Sequence, residues 1–305
     1  MAESDSTTGG DSSGKLNELM RKHPLFSYFF MSYLFSWIMT IPCVLSDWGF
    51  LPKGGLFALF FFLKAFAGPT VAAYIMSRVM AGQAGWREIV RRIRLLRVRW
   101  GWYLFVLLAV PVVLLAGILV LPGAPASFQG LSGRFLVSYP ILFVLIFFGG
   151  GPLAEEIGWR GFALPRLQSR YGSLPGTLLL GGVWAFWHLP DFLTTAQRGG
   201  PGSGLSLLYI NLPIFVVMVV AMAVIFTWVF NNTGGSLFIA MLLHASINTF
   251  GNVQALFTAP IVTTTDLPIL IAVCATALVI IAATRGRLGY RPEHEASPKP
   301  AEVAA

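Results

Sequence analysis

The chain alternates long apolar runs with short polar or basic stretches, and few segments show the two-residue alternation of a half-buried strand. Runs at about Leu25–Leu45, Leu56–Met80, Tyr103–Leu121, Phe135–Phe148, Leu174–Leu189, Leu207–Phe230, Ser236–Asn252 and Leu267–Ala283 predict eight helices. Most approach the roughly 20 apolar residues that a membrane-spanning helix needs. Gly68-Pro69 falls inside the second run, and a proline there removes a helical hydrogen bond, so a kink is expected. Lys64 is the one basic residue well inside an apolar run. It is expected to snorkel to an interface or pair locally, with a functional role as the alternative.

Composition turns this pattern into a fold class. The 305 residues are 56% hydrophobic and only 11% charged, which fits one all-α, polytopic membrane domain better than two soluble ones. That domain spans about residues 25–285, between polar tails at 1–24 and 286–305. Residues 1–14 carry no apolar face and are expected to be disordered, whereas Lys15–His23 reads as a short basic helix on the membrane surface. The N-terminus lacks the form of a cleavable signal peptide, so the first span is expected to be retained. Cys43 and Cys274 both fall in apolar runs and suggest neither a disulfide framework nor a thiolate metal site.

The net charge of +8 would suggest nucleic acid in a soluble protein. Here the basic residues lie mostly in loops beside apolar runs, where the positive-inside rule accounts for them. The segment from Trp86 to Trp102 alternates arginines with Ile, Leu and Val, the pattern of a basic amphipathic stretch on an anionic leaflet, and no nucleic-acid module accompanies it. Basic residues precede the first span and follow the second, fourth and eighth. Both termini are therefore expected on the cytoplasmic side of a cell membrane, with lipid as a partner.

One stretch places charge where it is costly. GGGPLAEEIGWRGFALPRLQSRY, Gly149 to Tyr171, sets Glu155 and Glu156 at the end of an apolar run, and ionisable groups at membrane depth cost at least a few kcal/mol. Adjacent helical residues point about 100° apart, so the two carboxylates cannot face one site. Glu156 and Arg160 are spaced i, i+4 with the acid first, the favoured order for an ion pair. Glu155 is left to face something on another helix. The bland alternative is that both glutamates neutralise Arg160 and Arg166 at an interface.

Of four histidines, only His188 and His244 lie in apolar runs, and Asn248 follows His244 by one helical turn. A carboxylate and an imidazole sharing a water can deprotonate it, while a second imidazole and an amide can donate to a developing oxyanion. Amide hydrolysis would use such a set. Equally, Glu155, His188 and His244 are a ligand set for a catalytic zinc, although HExxH is absent. The span boundaries put Glu155 and His188 ~20 Å apart at 1.5 Å rise per residue, so convergence requires a break at the Gly149–Gly151 glycines or a shallow fifth span.

EEIGWR resembles the EExxxR motif of the CPBP family of intramembrane proteases, also called CAAX protease or Abi proteins, which includes the Ras-converting endopeptidase. WAFWH, Trp184 to His188, resembles the second motif, FxxxH, with Trp184 in place of the usual Phe, and HASIN resembles the third, HxxxN. The likeness covers roughly residues 54–252. It implies an eight-helix CPBP-type core in which Glu155 and His188 activate water and His244 and Asn248 form an oxyanion hole, with Glu156, Arg160 and Trp184 in support. The family has been described both as metalloproteases and as glutamate proteases. The metal-free form is the expectation, with zinc on Glu155, His188 and His244 as its alternative.

The expected function is thus an endopeptidase cutting a peptide or membrane-protein substrate near the cytoplasmic face. Two other classes compete: a non-catalytic membrane scaffold or bacteriocin-immunity protein, and a transporter using Glu155 and the histidines as a proton relay. The latter lacks a visible inverted repeat.

Overall fold

The computed structural model describes residues 9–52, 55–149, 151–194, 208–250, 256–258 and 262–292. Fourteen α-helices make up the described architecture, and the only β pairing among the described residues is an isolated bridge between Phe128 and Phe257. The all-α membrane class read from composition is borne out. In order the helices are α1 (Gly9–Lys22), α2 (Pro24–Asp47), α3 (Gly55–Ala65), α4 (Val71–Ile93), α5 (Trp100–Leu104), α6 (Val110–Leu119) and α7 (Ala124–Ser127). There follow α8 (Gly133–Gly149), α9 (Gly151–Gly158), α10 (Leu164–Tyr171), α11 (Ser173–Trp187), α12 (Leu208–Asn232), α13 (Leu237–Phe250) and α14 (Val262–Thr284).

Each of the eight apolar runs is helical over most of its described residues. Among the described residues Pro24–Asp47, Trp100–Leu119 and Tyr209–Asn232 are long and apolar enough to cross a membrane, and α8 with 151–171 makes a fourth span broken by a 41° bend. The remaining runs form shorter or interrupted helices. At the N-terminus the helix already begins at Gly9, ahead of the basic stretch; residues 1–8 and 293–305 lie outside the described residues, as does the Gly-rich loop after α11.

Helix α2 shows why this is a lipid-facing bundle. Phe26, Phe30, Leu34, Ile38, Ile41 and Leu45 point outward and are exposed, while Tyr28, Ser32, Ser36, Thr40 and Val44 are buried. A water-soluble helix does the reverse. In lipid, burial of apolar area drives nothing, and small residues that allow close backbone approach make the better interface. Gly68 is the counterpart: a β-carbon there would collide with the Ser36 hydroxyl and the Ser32 carbonyl.

Three π-helical turns, Phe66–Thr70, Phe105–Ala109 and Trp159–Ala163, interrupt otherwise α-helical segments. Each contains or lies within two residues of a proline: Pro69, Pro111 and Pro165. A proline lacks the N–H for the carbonyl four residues back and its ring crowds that carbonyl, and a widened turn relieves both. The kink expected at Gly68-Pro69 is therefore a π turn. The basic segment is helical only in part. Helix α4 bends where Gly82 adopts φ +57°, runs on to Ile93, and is followed by non-helical residues up to the start of α5 at Trp100.

Candidate active site

The bend between α8 and α9 carries the EEIGWR stretch into the interior. Pro152 sits in the first turn of α9, where a missing N–H costs nothing, and Ala154 to Ala163 are buried without interruption. A β-carbon at Gly158 would strike the Tyr28 hydroxyl and Pro69, so glycine there lets α9 close on α2 and on the π turn at Phe66–Thr70. Gly151 serves the site directly: its missing β-carbon leaves the space occupied by Glu155 Oε1.

The two glutamates diverge as their spacing requires. Arg160 Nη1 donates to Glu156 Oε1 at 2.9 Å, with both side chains wholly buried. The same carboxylate oxygen accepts from His244 Nδ1 at 2.8 Å. The Arg160 guanidinium lies 4.3 Å from the ring centres of both Trp184 and Phe226, a planar cation between two aromatic faces. Glu155 faces the other way. Its Oε2 accepts the Trp184 indole N–H at 2.7 Å and lies 3.4 Å from that of Trp159.

His188 ends α11, and its ring replaces a main-chain donor. The His188 N–H bonds to Ala185 O at 3.1 Å instead of reaching back a full turn, which frees Trp184 O to accept from His188 Nδ1 at 3.0 Å. A carbonyl only accepts, so Nδ1 carries the proton and Nε2 of the neutral ring offers a lone pair. Around it stand Trp187, with ring centres 4.6 Å away, and Phe215 at 5.2 Å. His244, on α13, has its ring 5.5 Å from Trp184. The Trp184 ring, whose N–H bonds to Glu155, lies 6.4 Å from the His188 ring and 5.5 Å from that of His244, so the ~20 Å separation implied by the span boundaries is wrong. The chain bends by 41° between α8 and the segment 151–171, at the glycine break that convergence was expected to require.

Glu155, His188, His244, Glu156, Arg160 and Trp184 thus converge. Asn248 follows His244 on the same helix stripe but is exposed where His244 is buried. Two contributors escaped the sequence reading, and a third, Lys64, was noticed without its partner. Trp159, whose position in EEIGWR carries no special weight, presents a second indole to Glu155. Asp191, in the HLPD that closes α11, and Lys64 form a buried ion pair beside His188. Lys64 therefore neither snorkels nor pairs locally. Among the described residues no three His, Cys, Asp or Glu side chains gather as a metal site; the Trp184 indole stands among Glu155, His188 and His244.

An all-α membrane bundle with a buried carboxylate and two imidazoles gathered around one indole defines a class of intramembrane protein with a polar centre. The sequence model described as Type II CAAX prenyl endopeptidase Rce1-like matches residues 137–250, the segment from α8 through α13. A protein of Methanococcus maripaludis named CAAX prenyl protease 2 is 33% identical over 150 residues, covering 47% of this chain and 53% of that protein. The chain thus spans about half the length of this curated relative. These matches and the three motifs relate the chain to the CPBP and Rce1-like family of membrane proteins.

Proposed function

We propose that the chain is an intramembrane endopeptidase in which Glu155 and His188 activate a water and His244 and Asn248 stabilise the oxyanion. The observation that carries this reading is one buried carboxylate anchored by the Trp184 indole, whose ring lies 6.4 Å from the His188 ring and 5.5 Å from the His244 ring on another helix. With Nδ1 held by Trp184 O, His188 can take a proton only at Nε2. That is the atom a general base needs free. His244 is constrained in the opposite sense. Its Nδ1–H goes to Glu156, so Nε2 can donate to an oxyanion only from the doubly protonated ring. Glu156, bridging Arg160 and His244, is the counter-charge for that form, which gives the second motif glutamate a task of its own.

In the attack, water oxygen bonds to the scissile carbonyl carbon while its proton passes to Glu155 or His188. The carbonyl electron pair moves onto oxygen and is met by His244 Nε2–H and the Asn248 amide. Collapse expels the amine, which recovers the proton. We propose no metal in this scheme. Glu155, His188 and His244 stand around the Trp184 indole instead of around a common point. The substrate is a peptide or membrane protein, and the name of the archaeal relative makes C-terminal prenylated peptides the first to try. The location is a plasma membrane, with the arginines of Trp86–Trp102 and both termini on the cytoplasmic side.

The test is cleavage of quenched prenylated and unprenylated peptides by detergent-solubilised protein. Glu155→Gln should reduce kcat by at least about 100-fold, within the range for loss of a general base, while leaving thermal unfolding unchanged. Full activity in that variant would overturn the reading. Loss of wild-type activity with a chelator, restored by zinc, would overturn its metal-free form. A wild-type protein that cleaves none of the peptides, yet whose Glu155→Gln variant keeps its biological effect, would point to a scaffold or immunity role.

A further inference from the structure

We infer that Lys64 and Asp191 form a positioning pair that fixes the backbone turn carrying His188, and with it the direction of the His188 ring. The inference rests on the reading of His188 as the water-activating imidazole. Lys64 lies on α3 and Asp191 on the 3-10 turn Asp191–Leu193, 127 residues apart, and both are buried. Lone charges at this depth are costly, so each needs the other. Neutralisation alone does not require this location, three residues beyond His188.

The connections run from the pair to the ring by two short routes. Asp191 N–H donates to His188 O at 2.9 Å, so the ion pair holds the turn that begins at His188. Lys64 Nζ also sits 5.0 Å from the centre of the Trp187 ring, and that ring stands edge-on to His188. The opposite end of the pair is equally fixed, because Ser36 Oγ donates to Lys64 O at 2.7 Å.

Helix α2 reinforces the same turn. Tyr33 donates to Val183 O at 2.5 Å, Trp37 to Trp187 O at 3.0 Å and Trp48 to Leu193 O at 2.8 Å. Trp187 O is one of the four carbonyls that a helix C-terminus leaves without an intrahelical partner. The other three, of Trp184, Ala185 and Phe186, are taken by His188 Nδ1, His188 N and Leu189 N. Every carbonyl of the last turn is thus engaged, and the segment outside the matched residues 137–250 supplies the lock. Lys64–Asp191 is an ionic component of it.

The experiment compares wild type with Lys64→Met, Asp191→Asn, the double variant and Lys64→Arg. Removing one partner strands a buried charge and can unfold the protein, whereas removing both is often neutral for stability, so the double variant separates the two roles. It should unfold near the wild-type temperature with KM unchanged and kcat reduced by about 100-fold, the effect of a displacement near 1 Å. Lys64→Arg should retain most of kcat. Imidazole 15N NMR, with the His188 signal assigned by its loss in His188→Gln, should show the Nδ1–H tautomer in wild type and a mixture in the double variant. A double variant with wild-type kcat and an unchanged His188 signal would overturn the inference. If the wild type cleaves no peptide, the peptidase reading fails, and the His188 signal still decides the positioning role.

Discussion

Glu156 and Arg160 share their spacing and residue order with Glu88 and Arg92, and the two pairs stand in opposite surroundings. The first is 2.9 Å long with both side chains at 0% exposure; the second is 2.8 Å long with Glu88 at 42% and Arg92 at 13%. Glu88 also binds Arg91, and Glu156 also binds His244. At the surface a carboxylate with two arginines is a charge cluster in a medium that already solvates it. In the interior, the same geometry becomes a scaffold, because neither member can be left alone and each orients an aromatic or imidazole neighbour. Depth, which the i, i+4 pattern does not encode, converts one into the other.

Breaking the buried pair should produce the largest effect. Arg160→Ala is expected to destabilise the protein by about 3–5 kcal/mol, the range for leaving a buried partner uncompensated. Thermal unfolding in detergent measures it, and a loss near that of a surface pair would erase the contrast. Trp184→Phe keeps the ring beside Arg160 and removes the N–H given to Glu155. A hydrogen bond to a charged group contributes about 1.5–3 kcal/mol, so kcat/KM should fall about 10- to 100-fold with little change in unfolding temperature. Unchanged kinetics would show that Trp159 alone suffices to hold Glu155.

The smallest effect belongs to Glu88→Gln, which should cost under about 1 kcal/mol and fade as salt rises. The Glu88 carboxyl is held below its ordinary range, first by its hydrogen bond with Arg91 and then by Arg92. Its contribution is therefore present above the unfolded carboxylate range and lost as pH falls through the lowered value. Unfolding scans of wild type and variant should differ near neutral pH and converge in acid. A pH-independent difference would mean that Glu88 acts through packing and not through charge.

Helix positions were largely legible, because runs of apolar residues have few other solutions in a bilayer. The Glu156–Arg160 pair was legible too, since i, i+4 geometry is local. Pro69 marked an interruption without revealing that a widened turn resolves it, and the same role of Pro111 and Pro165 went unread. What was not legible depended on contacts across the chain. Nothing near Lys64 points to Asp191, and Glu156 meets His244 only once α9 and α13 pack. The distance from Glu155 to His188 was overestimated because span boundaries drawn by hydropathy treat Phe135 to Tyr171 as a line; the glycines marked where that line could break, and the chain bends there by 41°. The Trp at position 184 stood out only as a departure from a motif; its indole N–H explains what the larger ring adds.

The π turn at Trp159–Ala163 has a consequence for how this chain can change over generations. It accommodates one residue more than an α-helical turn would. Deleting a single residue there would let ordinary helical geometry close while α10 kept its face toward α9, so the turn holds slack of one residue. A further inserted residue, continued as ordinary helix, would instead rotate α10 by about 100° and move Leu164, now buried, to the half-buried position of Pro165. The stretch can therefore shorten by one residue more cheaply than it can lengthen by one.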